Sequence, residues 1–158
     1  TGAGGLFSFR GFLLMWRGAS VFRSEAAQPH LFHRLGIMQF PAAVTAAEGL
    51  AGGMWIGTQS GLWWVAGDAP EQWIPSRKTI SPVMPGSIVI SGALMPKLQI
   101  SEPIALFVTE KGLVAGLPDG TAAHLTESSY RFPSNIRASF CYVERDDLHQ
   151  ILIGLAEG

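Results

Sequence analysis

The feature that most constrains this chain is an internal repeat. Met54-Trp55-Ile56-Gly57-Thr58-Gln59-Ser60-Gly61-Leu62-Trp63-Trp64-Val65 aligns without gaps on Ala105-Leu106-Phe107-Val108-Thr109-Glu110-Lys111-Gly112-Leu113-Val114-Ala115-Gly116, 51 residues later. Both segments read as an apolar strand, a Thr-x-x-Gly-Leu turn and a second apolar strand. A looser third copy, Leu6 to Trp16, places Gly11 about 50 residues before Gly61. In each copy a glycine can supply the positive φ that a tight hairpin or its bulge needs. The flanking Trp, Ile, Val, Phe and Leu suit a pleated, buried surface. Their near-continuous apolar character predicts strands covered on both faces, as in stacked sheets. Gly11, Gly61 and Gly112 are the turn glycines of the repeat.

Each hairpin has further strand signals around it. Ala66-Gly67-Asp68-Ala69-Pro70 and Leu117-Pro118-Asp119-Gly120 are turns, leading to strands at Gln72-Trp73-Ile74 and Thr121 to Leu125. Phe40 to Ala47 and Gly86-Ser87-Ile88-Val89-Ile90 precede the hairpins. Val44 to Leu50 reads as strand and loop rather than helix. About four short strands per unit, at a period of about 50 residues, is the signature of a β-propeller blade. The expected fold is therefore all-β, a partial β-propeller of about three four-stranded antiparallel blades, with units about 1–50, 51–101 and 102–158 of one propeller-like domain. A last hairpin, Ala138 to Val143 and Gln150 to Leu155, flanks the charged turn Glu144 to His149. Closed propellers have about 4–8 blades. Three cannot close, so further blades upstream in the same chain or other chains are expected to complete the ring. The opening Thr1-Gly2-Ala3-Gly4-Gly5, without Met, gives the same expectation of a C-terminal fragment of a longer chain.

Composition narrows the class. The 158 residues carry 11 Lys and Arg against 12 Asp and Glu, a net charge of −1, with 47% hydrophobic and only 15% charged residues. This is too apolar for disorder, and it lacks the basic excess that phosphate-driven nucleic-acid binding needs. One cysteine, Cys141, allows no intrachain disulfide. No apolar run approaches the roughly 18–20 residues of a membrane helix. So little charge suits a component whose surfaces are covered in an assembly.

Candidate chemistry is sparse. His30 and His33 have ligand spacing on a helix, but no Glu stands at the metalloprotease position and Pro29 points to a loop or turn. Cys141, mid-strand between Phe140 and Tyr142, reads as a buried inert thiol. Glu144, Asp146 and Asp147 could in principle pair as acid and base. Their place beside Arg145 and His149 fits a solvated turn better. Trp16, Trp55, Trp63, Trp64 and Trp73 could form a stacking platform, but repeat-equivalent strand positions favour core packing. No phosphate loop, sialidase-type Asp box or Trp-Asp dipeptide is present. No catalytic, cofactor-binding or metal-ligating residue is singled out, and no cofactor is expected.

Ala19-Ser20-Val21-Phe22-Arg23-Ser24-Glu25-Ala26-Ala27-Gln28-Pro29-His30-Leu31-Phe32 resembles a strand-plus-loop of propeller-bearing virion proteins of tailed bacteriophages. Met38 to Thr45, Gly53 to Thr58, Pro85 to Ile88 and Phe107 to Gly120 resemble the same group, so the likeness runs from about residue 5 to 155. It implies a non-enzymatic structural protein of the neck, nozzle or tail, located in the virion. Its partners would be other virion proteins or copies of itself, with no membrane and no sequence-specific nucleic acid. The family has no catalytic motif to carry over. The alternatives are a propeller module that binds a cell-surface glycan or protein and, behind it, a propeller enzyme, for which convergent carboxylates or histidines from several blades would be required.

Overall fold

A computed structural model of the chain describes residues 4–126, 131–133 and 135–157, with the side chains of 33, 35 and 36 left aside. The described residues form fourteen strands and three short 3-10 turns. Strands β1 (Gly4–Phe9), β2 (Phe12–Arg17), β3 (Ser20–Glu25) and β4 (Gln28–Gln39) make the first antiparallel sheet, in that order. The second holds β5 (Val44–Gly49), β6 (Met54–Thr58), β7 (Gly61–Ala66) and β8 (Ile74–Thr79). The third holds β9 (Val83–Ser91), β10 (Pro103–Thr109), β11 (Gly112–Gly116) and β12 (Ala122–His124). A two-stranded sheet follows, β13 (Ile136–Arg145) with β14 (Leu148–Glu157). The fold is all-β, three four-stranded blades of a partial propeller and a two-stranded hairpin.

The first strands of successive sheets lie against one another, β1 on β5, β5 on β9 and β9 on β13. Each sheet thus runs outward from an inner strand. Its start differs from the sequence expectation. The strand that precedes each Thr-x-x-Gly hairpin belongs with it, so the second and third sheets begin at Val44 and Val83 rather than near residues 51 and 102.

Side-chain parity explains why the strands are apolar throughout. Along β6, Met54 and Ile56 face the first sheet while Trp55 faces the third. Along β10, Ala105 and Phe107 face the second sheet while Ile104, Leu106 and Val108 face the hairpin. The three hydrophobic clusters are the three inter-sheet interfaces, and successive residues of a central strand feed alternate ones. Tight approach needs missing side chains. A Cβ on Gly116 would stand 2.6 Å from the Trp55 indole. With that space open, Trp55 is fully buried, tilted against Trp64 at 4.9 Å, and its Nε1 donates to the Leu117 carbonyl across the interface at 3.0 Å.

The two repeat hairpins carry the same bonds. Thr58 Oγ1 accepts from the Ser60 N–H at 3.2 Å and donates to the Gly61 carbonyl at 2.9 Å. Thr109 Oγ1 accepts from the Lys111 N–H at 3.2 Å and donates to the Gly112 carbonyl at 3.1 Å. A second hydroxyl then closes the turn from the outer strand side: Thr79 Oγ1 accepts from the Leu62 N–H, and Thr126 Oγ1 from the Leu113 N–H. Gly61 and Gly112 have φ of 143° and 110°.

Gly11 is also a turn glycine, with Arg10 and Gly11 at φ of 47° and 82° as a primed two-residue turn requires. It is not the counterpart of the other two. It joins the first and second strands of its sheet, whereas Gly61 and Gly112 join the second and third. Successive hairpins of a meander lie at opposite ends, so Gly11 sits on the other rim. The counterpart in the first sheet is the Gly18-Ala19 turn, whose Gly18 carbonyl accepts from Val44 N–H of the next inter-sheet connection at 2.8 Å.

Two substitutions test this packing. Thr109→Val removes both turn bonds at nearly constant volume and is expected to cost about 1–2 kcal/mol. Gly116→Ala drives a methyl into the Trp55 ring and is expected to cost at least as much. Urea denaturation followed by tryptophan fluorescence measures both; an unchanged midpoint for Gly116→Ala would refute the close approach.

Candidate functional site

The inner strands bring together a half-buried polar pair that the sequence did not flag. Glu48 lies on β5, opposite Trp55 in the register, so its side chain points toward the third sheet. Ser87 lies on β9. Its Oγ donates to Glu48 Oε1 at 2.7 Å. Burial raises the Glu48 pKa above the ordinary carboxylate range, and the Ser87 hydroxyl partly opposes the rise. The pair clips two inner strands together. Its only signal in the sequence is one carboxylate in an Ala-rich strand, which a turn or loop would explain equally well. A hydroxyl that already donates to a carboxylate could be activated by it, but no histidine is among the groups that the structure places on this pair.

A second polar feature lies further out, where β8 meets the third sheet. Arg77, Lys78, Thr79, Ser81, Lys111 and His124 line an open cavity of about 230 Å³. The Arg77 guanidinium lies 5.7 Å from the Trp63 ring centroid. The Asp119 carboxylate, beyond the cavity, is held below its ordinary pKa chiefly by the Thr121 backbone N–H, which donates to Oδ1 at 2.8 Å, with a smaller contribution from Lys78.

The residues singled out from sequence do not converge. His30 lies on β4, an extended edge strand and not the loop expected, so the helical face that its spacing to His33 would need does not exist; the His33 side chain lies outside the described residues. Pro29 fits because an outermost strand tolerates a missing N–H. Cys141 is exposed, contrary to the expected burial. Phe140 and Tyr142 turn toward the third sheet, so parity sends Cys141 to the uncovered face of the hairpin. Asp146 and Asp147, at φ of 48° and 64°, are the two corners of the β13–β14 turn. Glu144 stays at the strand end, where the Tyr142 hydroxyl reaches His149 Nδ1 at 2.6 Å.

The tryptophans are packing residues. Trp55, Trp64 and Trp73 are buried. Trp73 meets Phe12 edge-on at 5.4 Å, and Trp63 meets Phe40 edge-on at 5.7 Å and has Arg77 over its ring. Trp16 lies against Phe7. Among the described residues no group of three or more His, Cys, Asp or Glu is placed to hold a metal ion. No helix is long and apolar enough to cross a membrane. The sequence matches no protein-family model and no curated protein.

Glu48 makes the pair testable. A carboxyl whose folded-state pKa is raised contributes stability that is fully present below the unfolded value and is lost as pH rises through the folded value. The wild-type chain is therefore expected to lose stability relative to Glu48→Gln between the ordinary glutamate range and neutral pH. Glu48→Gln keeps an acceptor for Ser87 and carries no charge. Thermal unfolding of both proteins from pH 4 to pH 7.5 checks this; parallel pH curves would contradict a raised value.

Proposed function

We propose that this protein is a non-enzymatic structural component of a tailed bacteriophage virion, in the neck, nozzle or tail, and that it works through protein–protein contacts in a symmetric assembly. The observation that carries the reading is the stack itself. Four sheets are joined by three apolar interfaces, and apolar side chains stand exposed on both terminal faces, Leu6 on the first sheet and Leu152 on the hairpin. A stack of this kind offers surfaces for further sheets. The virion assignment rests on the likeness of the segments around Ser24, Thr45 and Thr109 to phage propeller proteins. The low charge of the chain fits surfaces that are covered in a particle.

The reading as a glycan- or receptor-binding module would need an accessible aromatic platform. Nothing favours it over packing: three of the five tryptophans are buried, and Trp63 contacts Phe40 edge-on and carries Arg77 over its ring.

Mass spectrometry of purified particles of the phage that encodes the chain is expected to find it at a fixed, integral stoichiometry. Particles that are complete and infective without it would overturn the proposal.

A further inference from the structure

The three internal interfaces follow one rule. The leading face of each sheet, with Phe7 and Leu14 in the first, Trp55 and Leu62 in the second, and Ile104 and Leu106 in the third, is covered by the trailing face of the next. Two faces are left over. The trailing face of the first sheet presents Leu6, 64% exposed, and Ile37, 47% exposed, beside the half-buried Leu13, Met15 and Phe22. The leading face of the β13–β14 hairpin presents Leu152, 54% exposed, and Leu148, 57% exposed, beside Cys141 and Val143. In a repeat array, terminal units ordinarily carry polar outer faces as caps. Here both outer faces are mixed: Arg137, Ser139, Arg145 and Gln150 share the hairpin face with its leucines, and Ser8, Arg17, Ser20 and Gln39 share the first-sheet face with Leu6 and Ile37.

We infer that these two faces form one junction between copies of the chain: the β13–β14 hairpin of one copy docks on the trailing face of the first sheet of a second. The argument for a second copy is continuity with the interfaces already formed. Among the described residues one leading face and one trailing face are unmatched, each the counterpart of surfaces that pair with one another three times in the stack. The β13–β14 hairpin covers the third sheet from its inner strand, through β13 on β9. The same placement on a second copy would cover β1 and β2, where Leu6, Leu13 and Met15 lie. Head-to-tail contacts close into a ring when the rotation per copy allows. The described residues of each copy hold three four-stranded sheets and one two-stranded sheet, so two such stacks supply eight, at the upper end of the about 4–8 of closed propellers. This deepens the reading as an assembly subunit by naming its first partner. Absence from virions would remove that reading alone, and the solution measurements below bear on the junction alone.

Sedimentation velocity at tens of micromolar is expected to show a species of twice the 16.9 kDa chain mass. Leu6→Glu and Leu152→Glu are each expected to raise the dimer Kd at least about tenfold, because each removes a buried leucine contact from both junctions. Ile74→Glu, on the exposed part of β8 away from both faces, is expected to leave it unchanged. Mixing the Leu6→Glu and Leu152→Glu proteins should then restore part of the dimer, since a mixed ring keeps one junction with both faces intact. That rescue is specific to head-to-tail pairing. A wild-type monomer at these concentrations overturns the inference. So does a dimer broken by Leu6→Glu alone, which would mean a face-to-itself contact. Far-ultraviolet circular dichroism of each variant separates a lost junction from a lost fold, and Leu13→Glu and Val143→Lys repeat the test at other positions of the same faces.

Discussion

Everything in this structure depends on sheets that are apolar on both faces and therefore cannot stand alone. A sheet with one polar face can end a domain. A sheet carrying Met54 and Ile56 on one side and Trp55 on the other needs a neighbour in both directions. Trp55 shows how far this goes. Its ring is the largest fully buried side chain, and it lies where Gly116 leaves no Cβ in the way. Its indole N–H would be costly to bury unpaired, and the Leu117 carbonyl of the next sheet accepts it. One side chain thus supplies area, shape and a hydrogen bond to the same interface, and each of the three depends on the register of the two sheets.

Register in turn depends on the turns. A one-residue slip of β6 against β7 would exchange the faces of Trp55 and Ile56 and break both interfaces together. The threonine at the head of each Thr-x-x-Gly hairpin opposes that slip, because its hydroxyl both accepts and donates within the same turn. The inter-sheet connections then tie to these turns. Gln59 N–H donates to the Ala43 carbonyl, and Phe132 N–H to the Glu110 carbonyl. Local turn chemistry and the stacking of sheets are coupled through a few backbone groups on one rim.

Much of this was legible in the sequence because it is periodic. The 51-residue spacing of Gly61 and Gly112, the paired threonines and the unbroken apolar runs identify the hairpins, the double burial and the four-stranded unit. What was not legible follows from parity and from space. Gly11 matches the repeat in local pattern, but only the strand order reveals that its hairpin comes one strand earlier and lies on the opposite rim. Cys141 looks buried because its neighbours are apolar, yet a strand sends adjacent residues to opposite sides and, among the described residues, that side of the hairpin leaves the thiol exposed. His30 and His33 are spaced for a helix, a meaning that vanishes in β4. Glu48 could not be distinguished from a surface carboxylate, because its burial is decided by Ser87, 39 residues away.

The distribution of polar side chains bears on what such a body can do. Thr58 and Thr109 act within turns, Thr45 donates to the Val83 carbonyl between the second and third sheets, and Glu48 takes the Ser87 hydroxyl between their inner strands. The buried hydroxyls of Ser24, Thr58, Thr79 and Thr109 bond within their own sheets, while the half-buried Thr45, Glu48 and Ser87 tie the second sheet to the third. A chain that commits its inner-strand carboxylate to a clip gains a defined relation between sheets. In a stack that relation matters, since an error in the angle between two sheets would be carried to every sheet beyond them.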